Sequence, residues 1–426
     1  MFGLIFSGTF LMYAVFMLGE GFDAPFLQIG FTTWTVRDLN YALITVFVAV
    51  MAMGNGYALS SGRAVRLLLS RTQERVLDQT TLTVVIGILA VLAVVFFIMF
   101  ARDVDLGSYV HRIGAIRATE EFLGKGLYHI PMTVLMNMAV FLAMGLQRNK
   151  RLVVSLLFIL AAVFNFLSAA RLNMAILVVG TLAIKHAMQP FKFKMRYVFI
   201  AILIILFLGP VSLGLRGGYG EDKNISNWAE QLKFAISYYQ DIDVFYFFAV
   251  IGMLGHANGM EAITAITSKL SSTGAYQYGQ YLVPSLLLGF VPHAIWPNKP
   301  NYGTMLFNEY FWPGAVEDTG AMGSTTIGEV YWDFGIIGVG IAFFLFGYVM
   351  RGVEETRIRI GKNLWVAIFY ALFAWFWAIY SNEILVGCFA QWLLYMIVWF
   401  AAYKLTTKAA REARPRGYLR TASIQD

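Results

Sequence analysis

Charge is scarce in this chain. Of its 426 residues only 13% are Asp, Glu, Lys or Arg, about half the share usual in soluble domains. Too little polar surface is available to cover a soluble body of this size, which excludes a cytosolic enzyme and a disordered protein. Cysteine is scarcer still. Cys388 stands alone, so no intrachain disulfide and no site of several thiolates can form, and a secreted disulfide scaffold is excluded. No G-x-x-x-x-G-K-[ST] phosphate loop occurs. The first apolar run has no basic leader and no A-x-A-like site before Glu20, so it reads as a retained span rather than a cleaved signal.

What the chain has instead is apolar sequence. Hydrophobic residues make up 59% of it, and the mean hydropathy is +0.65. A spanning helix needs roughly 20 mostly apolar residues. Residues 81–100 (TLTVVIGILAVLAVVFFIMF) meet this with no charge at all. Ten spans are expected, near 1–19, 41–59, 81–100, 129–147, 152–169, 172–189, 197–215, 333–350, 363–381 and 384–403. The fold class is therefore an all-α polytopic membrane protein.

The net charge of +7 invites a nucleic-acid reading until the charges are placed along the chain. Segments 60–80, 147–151, 185–196, 351–362 and 404–426 hold 21 Lys and Arg against six acids, and everything else holds 11 against 19. Positive residues stay on the cytoplasmic side. Both termini are thus expected inside, with +15 on that face and −8 on the other. The basic excess is an orientation signal, and no nucleic-acid partner is expected. The organisation follows: helices one to seven over 1–215, a large external loop over 216–332, helices eight to ten over 333–403, and a basic cytoplasmic tail over 404–426. Within the loop, 244–255 and 281–296 are apolar but short, and suit interfacial or re-entrant segments. If both spanned there would be twelve helices, and 256–280, with only Lys269 and Glu261, would face the cytoplasm without support from positive charge.

Ionisable residues near the outer ends of helices are the first candidates for chemistry, because a charge in a span costs about 2.5–3.5 kcal/mol on insertion scales. Arg171 lies between two apolar runs, on the wrong side for an orientation signal. Arg216 precedes Gly217-Gly218-Tyr219-Gly220, where glycines permit close backbone approach and a guanidinium fork suits a pair of phosphate oxygens. A snorkelling arginine and a flexible helix exit are the plainer alternatives. Arg117 is three or four residues from Glu120 and Glu121, spacing that also suits a surface ion pair. The richest segment is 291–335, with His293, Trp296, Lys299, Tyr302, Glu329, Tyr331, Trp332 and Asp333. Glu329 and Asp333 are one helical turn apart, able to share a site or to serve as acids at a helix start. The strings Asp103-Val104-Asp105 and Asp241-Ile242-Asp243 can in principle ligate Mg²⁺ but arise easily by chance, and no metal is assigned.

Three local sequences carry a family likeness: Ser168-Ala169-Ala170-Arg171, Pro297-Asn298-Lys299-Pro300, and the stretch from Ser324 to Gly338. The last matches a pattern T-x-x-G-E-x-Y-x-x-F-G-x-x-G through Thr325, Gly328, Glu329, Tyr331, Phe334, Gly335 and Gly338. With the topology, these resemble bacterial Wzy-type O-antigen or repeat-unit polymerases. Ala169 departs from the glycine usual in that family's Ser-Gly-x-Arg motif.

The resemblance implies a C-type glycosyltransferase-like fold in the bacterial inner membrane with its large loop in the periplasm. It implies undecaprenyl-diphosphate-linked oligosaccharides as substrates, no nucleotide sugar and no cofactor, and a chain-length regulator as a partner beside the bilayer. On that reading Arg171 and Arg216, with Arg117 or Lys299, hold the diphosphate. Glu329 is the first candidate for catalytic base and His293 the second. Trp296, Tyr302, Tyr331, Trp332 and Asp333 line the sugar path, and the span faces below hold the polyprenyl tail. The related O-antigen ligase and, from another class, a transporter or flippase are the rival readings.

Overall fold

The structure of the protein, a computed structural model, describes residues 36–63, 75–104, 126–147, 150–167, 171–190, 257–288, 304–311, 325–375 and 385–409, with positions 65, 69, 291 and 296. The described chain is almost wholly helical. Its helices are α1 (Val36–Leu59), α2 (Gln79–Val104), α3 (Gly126–Ala143), α4 (Lys150–Leu167), α5 (Arg171–Met188), α6 (Ala257–Thr273), α7 (Leu282–Leu288), α8 (Thr304–Phe311), α9 (Thr326–Ile360), α10 (Leu364–Tyr370) and α11 (Leu385–Thr406). A π-helical turn, Ala371–Trp375, continues α10. A short antiparallel ladder joins β1 (Arg75–Leu77) to β2 (Thr407–Ala409), with Val76 opposite Lys408.

Among the described residues four helices are long and apolar enough to cross a membrane: Arg37–Leu59, Gln79–Arg102, Thr326–Ile360 and Cys388–Thr406. Their outward faces bear this out. Ile44, Phe47 and Met51 of α1, Val84, Ile88 and Val91 of α2, and Ile341 and Leu345 of α9 are each at least half exposed. Repeats of three and four residues make such positions continuous apolar stripes, which a soluble monomer does not carry at this extent. The protein is a helical membrane protein.

The expected spans at 41–59, 81–100, 129–147, 152–169, 172–189 and 384–403 meet α1 to α5 and α11 within a few residues at each end. Those at 1–19 and 197–215 lie outside the described residues, as does the segment 244–255. The helix expected at 333–350 starts seven residues earlier, at Thr326, and runs to Ile360. The boundary drawn at 332/333 falls just before the non-helical Gly335, where two helical stretches meet. Thr325 explains the early start: its side chain accepts the Gly328 N–H at 3.0 Å, satisfying one of the N–H groups a helix leaves open. The segment 216–332, read as loop, contains α6, α7 and α8. α6 was not expected there; residues 262–267 and Leu270 are buried all round it, polar Thr264 and Thr267 included.

Two cores divide the bundle. One lies among α2, α3, α4, α5, α10 and α11, around Met136, Phe141, Ile184, Ile368 and Trp399. The other lies among α1, α6, α7, α8 and the first half of α9, around Ala42, Ile263, Tyr281, Phe307 and Trp332. α1 and α9 run side by side through glycines. A Cβ on Gly56 would collide with the Phe344 carbonyl, and one on Gly347 with the Met53 carbonyl. Small residues of this kind let backbones approach where lipid supplies no hydrophobic drive between helices. Asp78 caps α2 through the Thr80 N–H (3.2 Å) and the Thr81 hydroxyl (2.9 Å), and Asn363 caps α10 through the N–H groups of Trp365 and Val366.

Candidate active site at the start of the long helix

The first turns of α9 carry the motif noted in the sequence, and each of its residues meets a neighbour. Gly328 faces Ile266 of α6 so closely that a Cβ there would collide with it. Glu329 is fully buried, and the Tyr281 hydroxyl donates to its Oε1 at 2.9 Å. Asp333 is fully buried too. Its Oδ1 accepts the Tyr281 N–H at 3.3 Å and its Oδ2 the Leu282 N–H at 2.6 Å. Both oxygens thus hold the backbone that enters α7.

Two residues later the helix breaks. Gly335 has φ 62 and ψ −163, a region open mainly to glycine, and the Tyr276 ring lies 3.2 Å from where a Cβ would stand. In an unbroken helix the carbonyls of Trp332 and Asp333 would accept from residues four further on. They accept instead from Gln277 (3.1 Å) and Tyr278 (2.8 Å). The segment 276–282 is therefore stitched to α9 by four backbone N–H groups and one phenol. Tyr278 pays for its place with a positive φ of 50, and its side chain is 75% exposed. Such an outlier in a bulky residue persists only where the surroundings over-determine it.

Aromatic rings surround the acids. Trp332, 2% exposed, has its centroid 4.4 Å from Tyr281, 5.1 Å from Phe311 and 5.4 Å from Tyr310. Lys269 of α6 donates to the Tyr310 carbonyl, and its Nζ stands 4.0 Å from the Tyr310 ring centroid. Two buried polar atoms, Ser285 Oγ and Trp332 Nε1, have no partner among the described residues. On the flank of the break an apolar groove of about 750 Å³ runs along α9, lined by Tyr276, Tyr278, Leu282, Phe334, Ile337 and Leu345.

Comparison with protein-family models, with curated proteins and with solved structures finds no match to this chain.

The structure brings four of the expected site residues together on one helix: Glu329, Tyr331, Trp332 and Asp333. It buries all four. Tyr331 is 6% exposed, packed near the Tyr276 ring. Tyr331, Trp332 and Asp333 were expected along the sugar path; Tyr331 and Trp332 pack among neighbouring rings, and Asp333 anchors backbone. The reason is the covering layer of α6, α7 and α8, which the sequence presented as loop. Trp296 is partly exposed, at 37%. Arg171 begins α5. His293, Arg216, Arg117, Lys299 and Tyr302 lie outside the described residues. Tyr281 and Tyr276 were not singled out beforehand, although an aromatic-rich run with Gly274 and Gly279 signals a turn with rings on it. Among the described residues no group of three His, Cys, Asp or Glu is placed to hold a metal.

Proposed function

We propose that the protein is a membrane glycosyltransferase that joins oligosaccharide units carried on undecaprenyl diphosphate, as Wzy-type polymerases do, at the outer face of the bacterial inner membrane. The observation that carries this reading is Glu329. A carboxyl fully buried near the start of a helix long and apolar enough to span is costly unless it is hydrogen-bonded, and ionisable groups in such segments mark function by default. Six residues on, the helix breaks at Gly335, and irregular backbone in a spanning segment is tolerated only inside protein or beside a cavity. The groove along α9 offers the apolar surface a polyprenyl chain needs.

In the proposed step an acceptor sugar hydroxyl attacks the anomeric carbon of the donor. Its proton passes to Glu329, the new C–O bond forms, and the bond to the diphosphate breaks with the electron pair leaving on the lipid diphosphate. Arg171, Arg216 and a further cation, Arg117 or Lys299, would balance the charge that develops there. One such cation about 4 Å away contributes roughly 4 kcal/mol at an effective dielectric near 20, with no reorganisation needed. The ten-span topology, the periplasmic loop and the inward termini belong to this same proposal.

Purified protein supplied with lipid-linked repeat units tests it. Elongated lipid-linked products are expected, lost in Arg171→Ala and Arg216→Ala; normal elongation by both would remove the diphosphate clamp. Transfer of a finished chain to a lipid A core would favour the ligase instead. The break at Gly335 also suits a transporter, whose sites lie at discontinuous helices. Passage of lipid-linked sugars across vesicles without elongation would favour that reading.

A further inference from the structure

Far from Glu329 in sequence, six polar side chains meet inside the apolar bundle. Thr133 and Asn137 come from α3, Asn165 from α4, Asn173 from α5, and Gln391 and Tyr395 from α11; none is more than 7% exposed. Asn137 Nδ2 donates to the Asn173 carbonyl at 3.3 Å and to the Tyr395 hydroxyl at 2.9 Å. Asn165 Nδ2 donates to Asn137 Oδ1 at 3.1 Å. Asn173 Nδ2 donates to Thr133 Oγ1 at 3.2 Å, and its Oδ1 accepts from Gln391 Nε2. Three of these bonds end on one residue in the first turn of α5, two positions after Arg171.

One helix of the network, α11, also packs against the acid side. Gln391 stands six residues into α11, and Leu385, the first residue of that helix, packs against the core that holds Tyr281 and Trp332. α11 also touches α7, the helix whose entry Asp333 holds. A continuous path therefore runs from Asn173 through Gln391 and α11 to the stitched segment beside Glu329.

We propose that this amide network is a positioning device: it fixes the depth and rotation of the α5 start, and with it Arg171, relative to Glu329. It rests on the reading of Arg171 as a diphosphate ligand. Asn137 and Asn173 each take part in three of the bonds, so α3 is tied to α4, α5 and α11 at this level. In a helix a residue's direction is set by rotation, 3.6 residues to the turn, and three bonds to two different helices hold the one turn that carries Arg171.

The test uses full-length protein in lipid nanodiscs with lipid-linked repeat units, following initial rates and Tm. Asn173→Ala and Gln391→Met remove bonds of the network, Met matching Gln in length. Ile184→Ala, a fully buried change lower on α5, is the packing control. A cation displaced by about 1 Å costs transition-state stabilisation, so kcat is expected to fall by roughly 10²-fold in the network variants with KM little changed. The control should lower Tm as much and keep kcat per folded molecule. Two results would overturn the proposal. Wild-type kcat per folded molecule in Asn173→Ala and Gln391→Met, with Arg171→Ala inactive, would reduce the network to packing alone. Normal turnover by Arg171→Ala would remove the function assigned to the α5 start, and the positioning role with it.

Discussion

Glu329 has a tyrosine hydroxyl on one carboxylate oxygen and a fully buried surround, which makes it the residue where chemistry and stability separate most cleanly. Glu329→Gln keeps the size and an acceptor for Tyr281 but cannot take a proton. If it is the base, kcat falls by about 10²–10⁴-fold, with Tm close to wild type by thermal shift. Asp333 should behave in the opposite way. Asp333→Ala leaves the N–H groups of Tyr281 and Leu282 unpaired, at about 1–3 kcal/mol each. Lower Tm and faster proteolysis within 274–290 are expected, and both would accompany any fall in activity. The motif was readable in the sequence as a run of unusual residues leading into a span. Its division of labour was not. Nothing local distinguishes an acid that faces a phenol from one that holds two backbone N–H groups contributed by residues 51 and 52 positions earlier.

At the scale of elements, the long charge-free runs declared themselves, because lipid demands a helix wherever about 20 apolar residues follow one another. The start of α9 did not. Glu329 and Asp333 made it look like loop, since their cost is met by partners on α7 and its approach. The amide network was hidden for the same reason: single Asn and Gln residues in apolar runs look incidental, and Asn137 meets Tyr395 across 258 positions. The break in α9 yields a prediction of its own. Gly335 and Gly361 both have positive φ, but only Gly335 has a neighbour against it, the Tyr276 ring. Gly335→Ala should cost more than about 1 kcal/mol, and more than Gly361→Ala, in chemical or thermal unfolding. Equal costs would mean that Tyr276 gives way freely.

For the whole molecule, the charge asymmetry predicts an orientation that labelling can test. Cys388 is the one cysteine and is buried, so Cys388→Ser supplies a thiol-free background. In it, Arg359→Cys near the end of α9, where the side chain is 61% exposed, is expected to react with membrane-impermeant maleimide only in inverted vesicles, and Tyr278→Cys, at a 75% exposed position, only in right-side-out cells. The reverse pattern would invert the topology and put Glu329 on the cytoplasmic side, where a lipid-linked repeat unit awaiting polymerisation is not expected. Two cores joined by α11 and α9 also mean that α5, which begins at Arg171, and the head of α9, which carries Glu329, are held by different parts of the bundle, so their spacing is a property of the whole fold.

The central claim is that a buried acid at the head of α9 accepts a proton during sugar transfer from a lipid diphosphate. Its most direct measurement is the product ladder formed from lipid-linked repeat units by purified wild-type protein and by Glu329→Gln at matched folded fraction. The account predicts a ladder from the wild type and, from the variant, single units with a rate lower by about 10² or more. A ladder of wild-type length and rate from Glu329→Gln would contradict it.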